Sequence, residues 1–116
     1  MFDFEQFPVY RKSEFYYAEV LKIIANPLID KNQKDQLKRA SLSIVLNIAE
    51  GAGKYSKNDK KNFYVVAKGS VNECVAMMRI LKLENNISEE DFQKNYADLL
   101  EIAKMLSALI NTMIKR

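Results

Sequence analysis

Four polar residues lie within an otherwise apolar stretch between positions 39 and 50. Arg39, Ser43, Asn47 and Glu50 follow one another at intervals of four, four and three residues. In an α-helix this spacing places all four side chains on one face. Such a stripe is a solvated surface, an internal hydrogen-bonding network or part of a functional site.

A matching set of polar residues, Ser70 and Glu73, interrupts a second apolar pattern. Buried amides, hydroxyls and carboxylates are tolerated only when they are hydrogen-bonded. We therefore expect Ser43 or Asn47 to bond groups near Ser70 and Glu73, with Arg39 as the cation available to a carboxylate. This network would fix the register of two helices. The alternatives are a metal or acid–base site at the two glutamates, a solvated stripe, and a subunit interface.

The chain contains no histidine and one cysteine, Cys74, which limits the chemistry open to it. Serine–histidine and cysteine–histidine nucleophile pairs, histidine-liganded zinc and histidine-containing di-iron sites are excluded, as are an internal disulfide and a multi-cysteine zinc site. We predict a protein without catalytic residues, metal or other cofactor, and not an enzyme. The cysteine usage is typical of a reduced, cytoplasmic compartment.

The sequence Gly51-Ala52-Gly53-Lys54 has the composition of a phosphate-binding loop but not its spacing. The nucleotide-binding pattern requires glycine where Ile48 stands and serine or threonine where Tyr55 stands. We expect the two glycines to end a helix instead, in the left-handed conformation that glycine readily adopts.

Charge is distributed unevenly along the 116 residues, whose net charge is +3. Residues 31–68 carry nine Lys or Arg against three acids, or +6, and residues 84–101 carry six acids against one Lys, or −5. Lysines around an exposed aromatic suit phosphate contacts and base stacking. The alternatives are solvated helix faces and a contact with the acidic region of a neighbouring subunit. The candidate nucleic-acid-binding residues are Lys54, Tyr55, Lys57, Lys60, Lys61 and Lys68.

Hydrophobic periodicity predicts four helices and no strand. Short links between them predict an all-α, antiparallel up-down-up-down four-helix bundle that forms one domain over residues 1–116. We expect no membrane-spanning segment, since no apolar run approaches about 20 residues. We also expect no signal peptide, since the N-terminal sequence MFDFEQFPVY contains acids and lacks a basic segment followed by an apolar stretch. The predicted helices cover 8–26, 31–51, a segment from after Ser56 to 85 or 86, and a segment from after Ser88 to the C-terminus.

Each predicted helix carries an apolar stripe that should face the core. Gly69 lies in the middle of the third helix, and we expect the close approach of another helix backbone to offset its cost there. The first stripe is Tyr10, Tyr17, Leu21 and Ile24, with Tyr16 and Val20 beside it, and the second is Leu37, Ala40, Ile44, Ile48 and Gly51.

The segment RASLSIVLNIAEGAGKYSKNDKKNFYVVAKGSVNE, residues 39–73, closely resembles the signature of a known family. These are the four-helix bundle proteins encoded within intervening sequences of bacterial 23S ribosomal RNA genes. Members of this family have been loosely called ribosomal proteins. The shared pattern comprises Arg39, Ser43, Ile44, Asn47, Ile48, Ala49, Glu50, Gly51, Phe63, Ala67, Gly69, Ser70 and Glu73.

The resemblance implies a four-helix bundle that assembles as a homopentamer. It also implies similarity to the accessory proteins of diversity-generating retroelements, which form basic pentameric barrels that bind nucleic acid and a reverse transcriptase. Our leading hypothesis is a non-enzymatic oligomeric protein that binds structured RNA, such as ribosomal RNA, or another nucleic acid through the basic surface near Lys54 to Lys68. The alternative is a protein–protein interaction scaffold that binds no nucleic acid.

Overall fold

A computed structural model describes residues 1–114 of the chain. Its regular structure within that range is entirely helical, so the predicted all-α four-helix bundle is confirmed. The predicted extension of the fourth helix through residues 115 and 116 lies outside the described residues. The elements are a 3₁₀ turn at Asp3–Gln6 and the helices α1 (Pro8–Ile23), α2 (Lys31–Ala52), α3 (Lys57–Leu83) and α4 (Glu89–Ile114).

Polar side chains fix where α2, α3 and α4 begin. Asp30, Ser56 and Ser88 each accept a hydrogen bond from a backbone N–H two or three residues farther along, over 2.6, 3.0 and 3.0 Å. These bonds satisfy one of the N–H groups that the first turn of a helix leaves without a partner. α1 begins instead with Pro8, which has no N–H to satisfy.

Two helix ends differ from the predictions by two residues or more. α1 ends at Ile23 and α3 at Leu83, each two or three residues earlier than expected. The expectation of left-handed glycines after α2 was wrong, because Gly53 has φ −86° and no glycine of the chain has positive φ. There the chain tightens through i→i+3 hydrogen bonds, such as Gly53 N–H to Glu50 O at 3.1 Å. The left-handed residue is Asn85, with φ 59°, which closes α3.

The helices pack in a ring in which α2 contacts α1 and α3, and α4 contacts α3 and α1. Ser43 meets Ser70, and Gly51 lies against Tyr64, so residue numbers rise along α2 as they fall along α3. Antiparallel packing produces this register. It favours the up-down-up-down order, which stays a prediction for the bundle as a whole.

The core confirms the predicted stripe of α2 in full and that of α1 only in part. Leu37, Ala40, Ile44, Ile48 and Gly51 are all buried. In α1 the buried residues are Val9, Ser13, Tyr16 and Val20, whereas Leu21 is 43% exposed and Tyr10, Tyr17 and Ile24 are partly buried. The buried face of α1 is hard to recognise in the sequence because a polar residue, Ser13, occupies a core position. Its hydroxyl donates to Tyr10 O over 2.7 Å, so it needs no partner on another helix.

The glycines show where helices approach closely. A Cβ added to Gly51 would lie 2.8 Å from Tyr64 Cε1 and 3.0 Å from Phe63 Cβ, so α2 meets α3 closely at this point. A Cβ added to Gly69 would meet nothing within 4 Å. The predicted close approach at Gly69 is therefore wrong within this chain, and Gly69 lies on an exposed face of α3.

The bundle is elongated, with principal extents of 47 × 25 × 21 Å. α3 alone, at 27 residues, spans about 40 Å at 1.5 Å per residue. The turn that joins α2 to α3 therefore lies at one end of the molecule, and the turn that joins α3 to α4 lies at the other.

Candidate nucleic-acid interface

The α2–α3 turn, residues 53–56, is held in place by a lysine from the following helix. Lys60 donates from Nζ to Ala52 O over 2.9 Å and so satisfies a carbonyl at the C-terminal end of α2. A cation at this end of a helix is favourable by about 0.3–1 kcal/mol. The structure thus gives Lys60, one of the predicted nucleic-acid-binding residues, a capping role.

A second lysine of the turn is positioned by an aromatic ring. Lys54 Nζ lies 5.1 Å from the centroid of the Phe63 ring, which is within the range of a cation–π contact. The Lys54 side chain is nevertheless exposed. Its charge therefore remains accessible at the surface while the contact restricts where it lies.

Tyr55 projects from the same turn into solvent. Its side chain is exposed over its whole area, at 103% of the reference value for tyrosine. The aromatic pairs and hydrogen bonds of the described residues do not include it. Tyr55 is thus free to contact a molecule other than its own chain.

Three further lysines form a basic stripe on α3, composed of Lys57, Lys61 and Lys68. Their spacings of four and seven residues place them on one face of the helix. Lys57 is exposed, and Lys61 and Lys68 are partly exposed. None of the three takes part in an ion pair or side-chain hydrogen bond described for residues 1–114.

The acidic region of α4 is compensated within the chain, unlike the basic stripe. Lys12 pairs with Asp98 at 3.3 Å and with Glu101 at 2.8 Å, and the hydrogen bond to Glu101 raises the pKa of Lys12. Lys82 pairs with Glu89 at 2.9 Å. Positive charge therefore predominates around the α2–α3 turn, while lysines from α1 and α3 neutralise much of the acidic segment.

The interior polar contact predicted between α2 and α3 is formed by three residues. Ser70 Oγ donates to Ser43 Oγ over 2.8 Å, and Asn47 Nδ2 donates to Ser43 O at 2.8 Å and Ser43 Oγ at 3.0 Å. Ser70 is buried, and Ser43 and Asn47 are partly buried. The structure thus brings Ser43, Asn47 and Ser70 together, and we call this group the serine–asparagine cluster.

The charged residues predicted to join this network do not do so. Arg39, Glu50 and Glu73 are exposed, and the side-chain hydrogen bonds and ion pairs of residues 1–114 do not include them. Exposure to water explains this, because solvated charges need no partner inside the protein.

The two glutamates are also separated along the bundle. The antiparallel register places Glu50 near Tyr64, whereas Glu73 lies nine residues farther along α3 than Tyr64. Nine residues correspond to roughly 13 Å at the rise of an α-helix. This separation is too great for two carboxylates to bind one metal ion, because each ligand oxygen must lie within about 2.6 Å of the ion.

Sequence reasoning missed two buried polar atoms, one on α1 and one on α4. Tyr16 is completely buried and Asn95 is 4% exposed. Tyr16 Oη and Asn95 Oδ1 have no hydrogen-bond partner among the described residues, and burial raises the pKa of Tyr16. Asn95 lies three residues after Phe92 and four before Leu99, so its place in the apolar stripe was a signal for its burial.

The capping role of Lys60 also had a sequence signal. Lys60 lies seven residues before Ala67 and fourteen before Cys74, so it shares the heptad position of two core residues. A lysine at such a position, close to the C-terminal end of another helix, can donate to a carbonyl that the helix end leaves without a partner.

Residues 1–114 contain no group of three or more Cys, Asp or Glu side chains placed to hold a metal ion. Within the same range, none of the helices combines the length and apolar character that crossing a membrane requires.

Comparisons with known proteins identify the family. The model of the family described as 23S rRNA-intervening sequence protein matches residues 5–108. A crystal structure of a protein of unknown function from the S23 ribosomal protein family of Bacteroides thetaiotaomicron VPI-5482 is similar, with a TM-score of 0.83 and 26% sequence identity. That similarity covers 88% of this chain and 97% of the other. No curated protein matches this chain.

Proposed function

Because this chain belongs to the family of 23S rRNA-intervening sequence proteins, we propose that it is a non-enzymatic protein that binds RNA or another nucleic acid. The binding surface is the basic face formed by the α2–α3 turn and the first half of α3. Its contact residues are Lys54, Tyr55, Lys57, Lys61 and Lys68. Lys60 belongs to the same surface but contributes mainly through the cap that it forms on α2.

The observation that carries this proposal is the unpaired charge of the basic stripe. Lys57, Lys61 and Lys68 share a face of α3, and the ion pairs of residues 1–114 leave all three without an acidic partner. Lysines that bind phosphates release the counterions condensed on the nucleic acid, which supplies most of the affinity of a sequence-independent complex. An uncompensated row of lysines is suited to this kind of binding.

Titration of the purified protein with fragments of 23S ribosomal RNA at two salt concentrations tests the proposal. We expect affinity to fall steeply as salt rises, since the logarithm of the binding constant decreases by about 0.7–0.9 per phosphate contact for each tenfold increase in salt. Absent binding at low salt, or binding that does not respond to salt, would contradict nucleic-acid recognition through phosphates.

Self-association is the second part of the proposal, with the homopentamer implied by the family resemblance as the expected state. It is supported by an apolar groove of about 370 Å³ between α3 and α4, whose lining includes Val75, Leu100 and Ala103. Val65 and Val66, 49% and 53% exposed, lie on α3 close to Gly69. Several copies of a weak basic surface in one assembly would raise affinity through multivalency.

Light scattering after size-exclusion chromatography measures the assembly directly. A mass of five chains is the expected result, and a monomer would contradict it. The alternative function, a scaffold that binds a protein partner and no nucleic acid, rests on the same groove. Salt-insensitive or absent RNA binding by a correctly assembled protein would favour that alternative.

A further inference from the structure

Tyr55 is the aromatic residue of this chain that is both fully exposed and placed between lysines. Its side chain is 103% exposed, and Lys54 and Lys57 lie one residue before it and two residues after it. Large aromatic side chains generally bury apolar area when a protein folds. A tyrosine that buries nothing contributes little to the stability of the fold, so its position suggests contact with another molecule.

The other exposed aromatic residues lie in different surroundings. Phe15, 54% exposed, lies within α1 and directly follows Glu14. The remaining two each have an aromatic neighbour. Phe2 is 74% exposed but stacks on Phe4, with ring centroids 6.1 Å apart, next to acidic residues of the N-terminal turn. Tyr96 is 39% exposed and lies beside Phe92, at 6.0 Å, on the acid-rich helix α4. Phe2 and Tyr96 thus already have aromatic neighbours and lack the concentration of lysines that surrounds Tyr55.

The turn that carries Tyr55 is anchored on both sides. Ser56 Oγ accepts a hydrogen bond from Asp59 N–H at 3.0 Å, Lys60 caps α2 through Ala52 O, and Lys54 lies over the Phe63 ring. The ring of Tyr55 therefore projects from a backbone that is fixed before any ligand arrives. Binding would require ordering of the side chain alone, which lowers its entropic cost.

We propose that Tyr55 stacks on an unpaired base of a single-stranded nucleic-acid segment while Lys57 and Lys61 bind the adjacent phosphates. This inference rests on the proposed function and specifies its substrate class. A base in a duplex has both faces covered by neighbouring base pairs, so a tyrosine that projects into solvent can stack only on a base in a loop, a bulge or a strand end. The preferred substrate is therefore nucleic acid with unpaired nucleotides.

The test compares an RNA hairpin with a single-stranded loop and a fully paired RNA duplex of the same charge. The variants are Tyr55→Ala, Tyr55→Phe and the double variant Lys57→Gln/Lys61→Gln. Circular dichroism verifies that each variant is folded, which we expect because none of the three side chains is buried. A 2-aminopurine base in the loop reports stacking directly, because its fluorescence is quenched when it stacks on an aromatic ring.

We expect Tyr55→Ala to weaken binding of the hairpin roughly 5- to 150-fold, the effect of removing one base–aromatic stack. Binding of the duplex should not change. Tyr55→Phe should retain both the hairpin affinity and the quenching, because phenylalanine keeps the ring. A DNA hairpin of the same sequence should show the same dependence on Tyr55, since every base has a π face in RNA and DNA alike.

Several outcomes would overturn the stacking inference while leaving the proposed function intact. These are equal loss of hairpin and duplex binding in Tyr55→Ala, no loss in either, or a loss in Tyr55→Phe equal to that in Tyr55→Ala. In each of them, Lys57→Gln/Lys61→Gln would still weaken binding of both substrates. If the unmodified protein bound neither substrate at low salt, the proposed function and the inference would both be wrong.

Discussion

Ser70 on α3 donates a hydrogen bond to Ser43 on α2, with 2.8 Å between the two hydroxyl oxygens. The bond joins the middles of the two helices that flank the α2–α3 turn. Asn47, one helical turn farther along α2, donates to the same Ser43 hydroxyl oxygen. This oxygen therefore accepts hydrogen bonds from both α2 and α3. The serine–asparagine cluster thereby helps to fix the register that places the α2–α3 turn.

Replacement of Ser70 by alanine tests this cluster. The variant removes one hydrogen bond and leaves the Ser43 hydroxyl bonded to Asn47, so the free energy of unfolding should fall by about 1 kcal/mol. Urea denaturation monitored by circular dichroism measures the change. The matched control is Glu73→Ala on the same helix, which is exposed and should alter stability by less than about 0.5 kcal/mol. A larger loss from the control than from Ser70→Ala would place Glu73 in the network after all.

The helical architecture follows from the sequence because its signals are local and repeated. Capping residues at positions 30, 56 and 88 mark three helix starts, and the stripe of α2 is predicted correctly because its members are consistently apolar or small. The stripe of α1 was predicted only in part, because Ser13 is polar by type but is satisfied by the backbone of its own helix. Hydrophobic periodicity cannot reveal that a polar side chain is buried through a local hydrogen bond of this kind.

The candidate site was predictable in its location but not in its details. The sequence shows that lysines concentrate between residues 54 and 68. It does not show which of them the fold uses, and the cap formed by Lys60 and the ring contact of Lys54 emerge only from three-dimensional packing. Similarly, the spacing of Glu50 placed it on the same helical face as Asn47, but sequence spacing does not reveal which part of that face meets α3.

Replacement of the two helical glycines by alanine should have opposite effects on the free energy of unfolding. Gly51→Ala would place a methyl group 2.8 Å from Tyr64 Cε1 and should destabilise the protein by about 1–3 kcal/mol. Gly69→Ala meets no atom within 4 Å and should stabilise the isolated chain by about 0.5–1 kcal/mol, since alanine favours a helix more than glycine does. Thermal or urea unfolding of the two variants checks the contrast. Equal effects at the two positions would contradict the packing described for α2 and α3.

Cys74 should be unreactive in the native protein. It is completely buried, and burial raises the pKa of its thiol to about 12. We expect negligible labelling by a thiol reagent at pH 8 in the folded state and complete labelling after denaturation, because the thiolate is the reactive form. Rapid labelling without denaturant would contradict the burial of Cys74.

The raised pKa of the Cys74 thiol also predicts how the stability of the protein changes at alkaline pH. The ordinary pKa of the thiol, 9.0, applies to the unfolded chain, and the folded pKa is higher. Above pH 9 the unfolded state can therefore release a proton that the folded state retains, and stability should fall as the pH rises from about 9 toward 12. The variant Cys74→Ala should lose this part of the pH dependence in alkaline urea titrations. An unchanged pH dependence in Cys74→Ala would show that other groups account for it.

The central claim, that the uncompensated lysines of α3 bind nucleic acid, is tested most directly by comparing two double variants with the same charge. Lys57→Gln/Lys61→Gln changes the basic stripe. Lys22→Gln/Lys31→Gln removes two exposed lysines that pair with Glu19 and Asp35 toward the other end of the bundle.

The measurement is the affinity for 23S ribosomal RNA fragments as a function of salt concentration. We predict that Lys57→Gln/Lys61→Gln weakens binding and reduces the salt slope by about 2, one unit for each phosphate that the variant no longer binds. Lys22→Gln/Lys31→Gln should leave the slope close to that of the unmodified protein. Equal slopes for the two variants would contradict the account, because binding would then follow net charge and not the basic stripe.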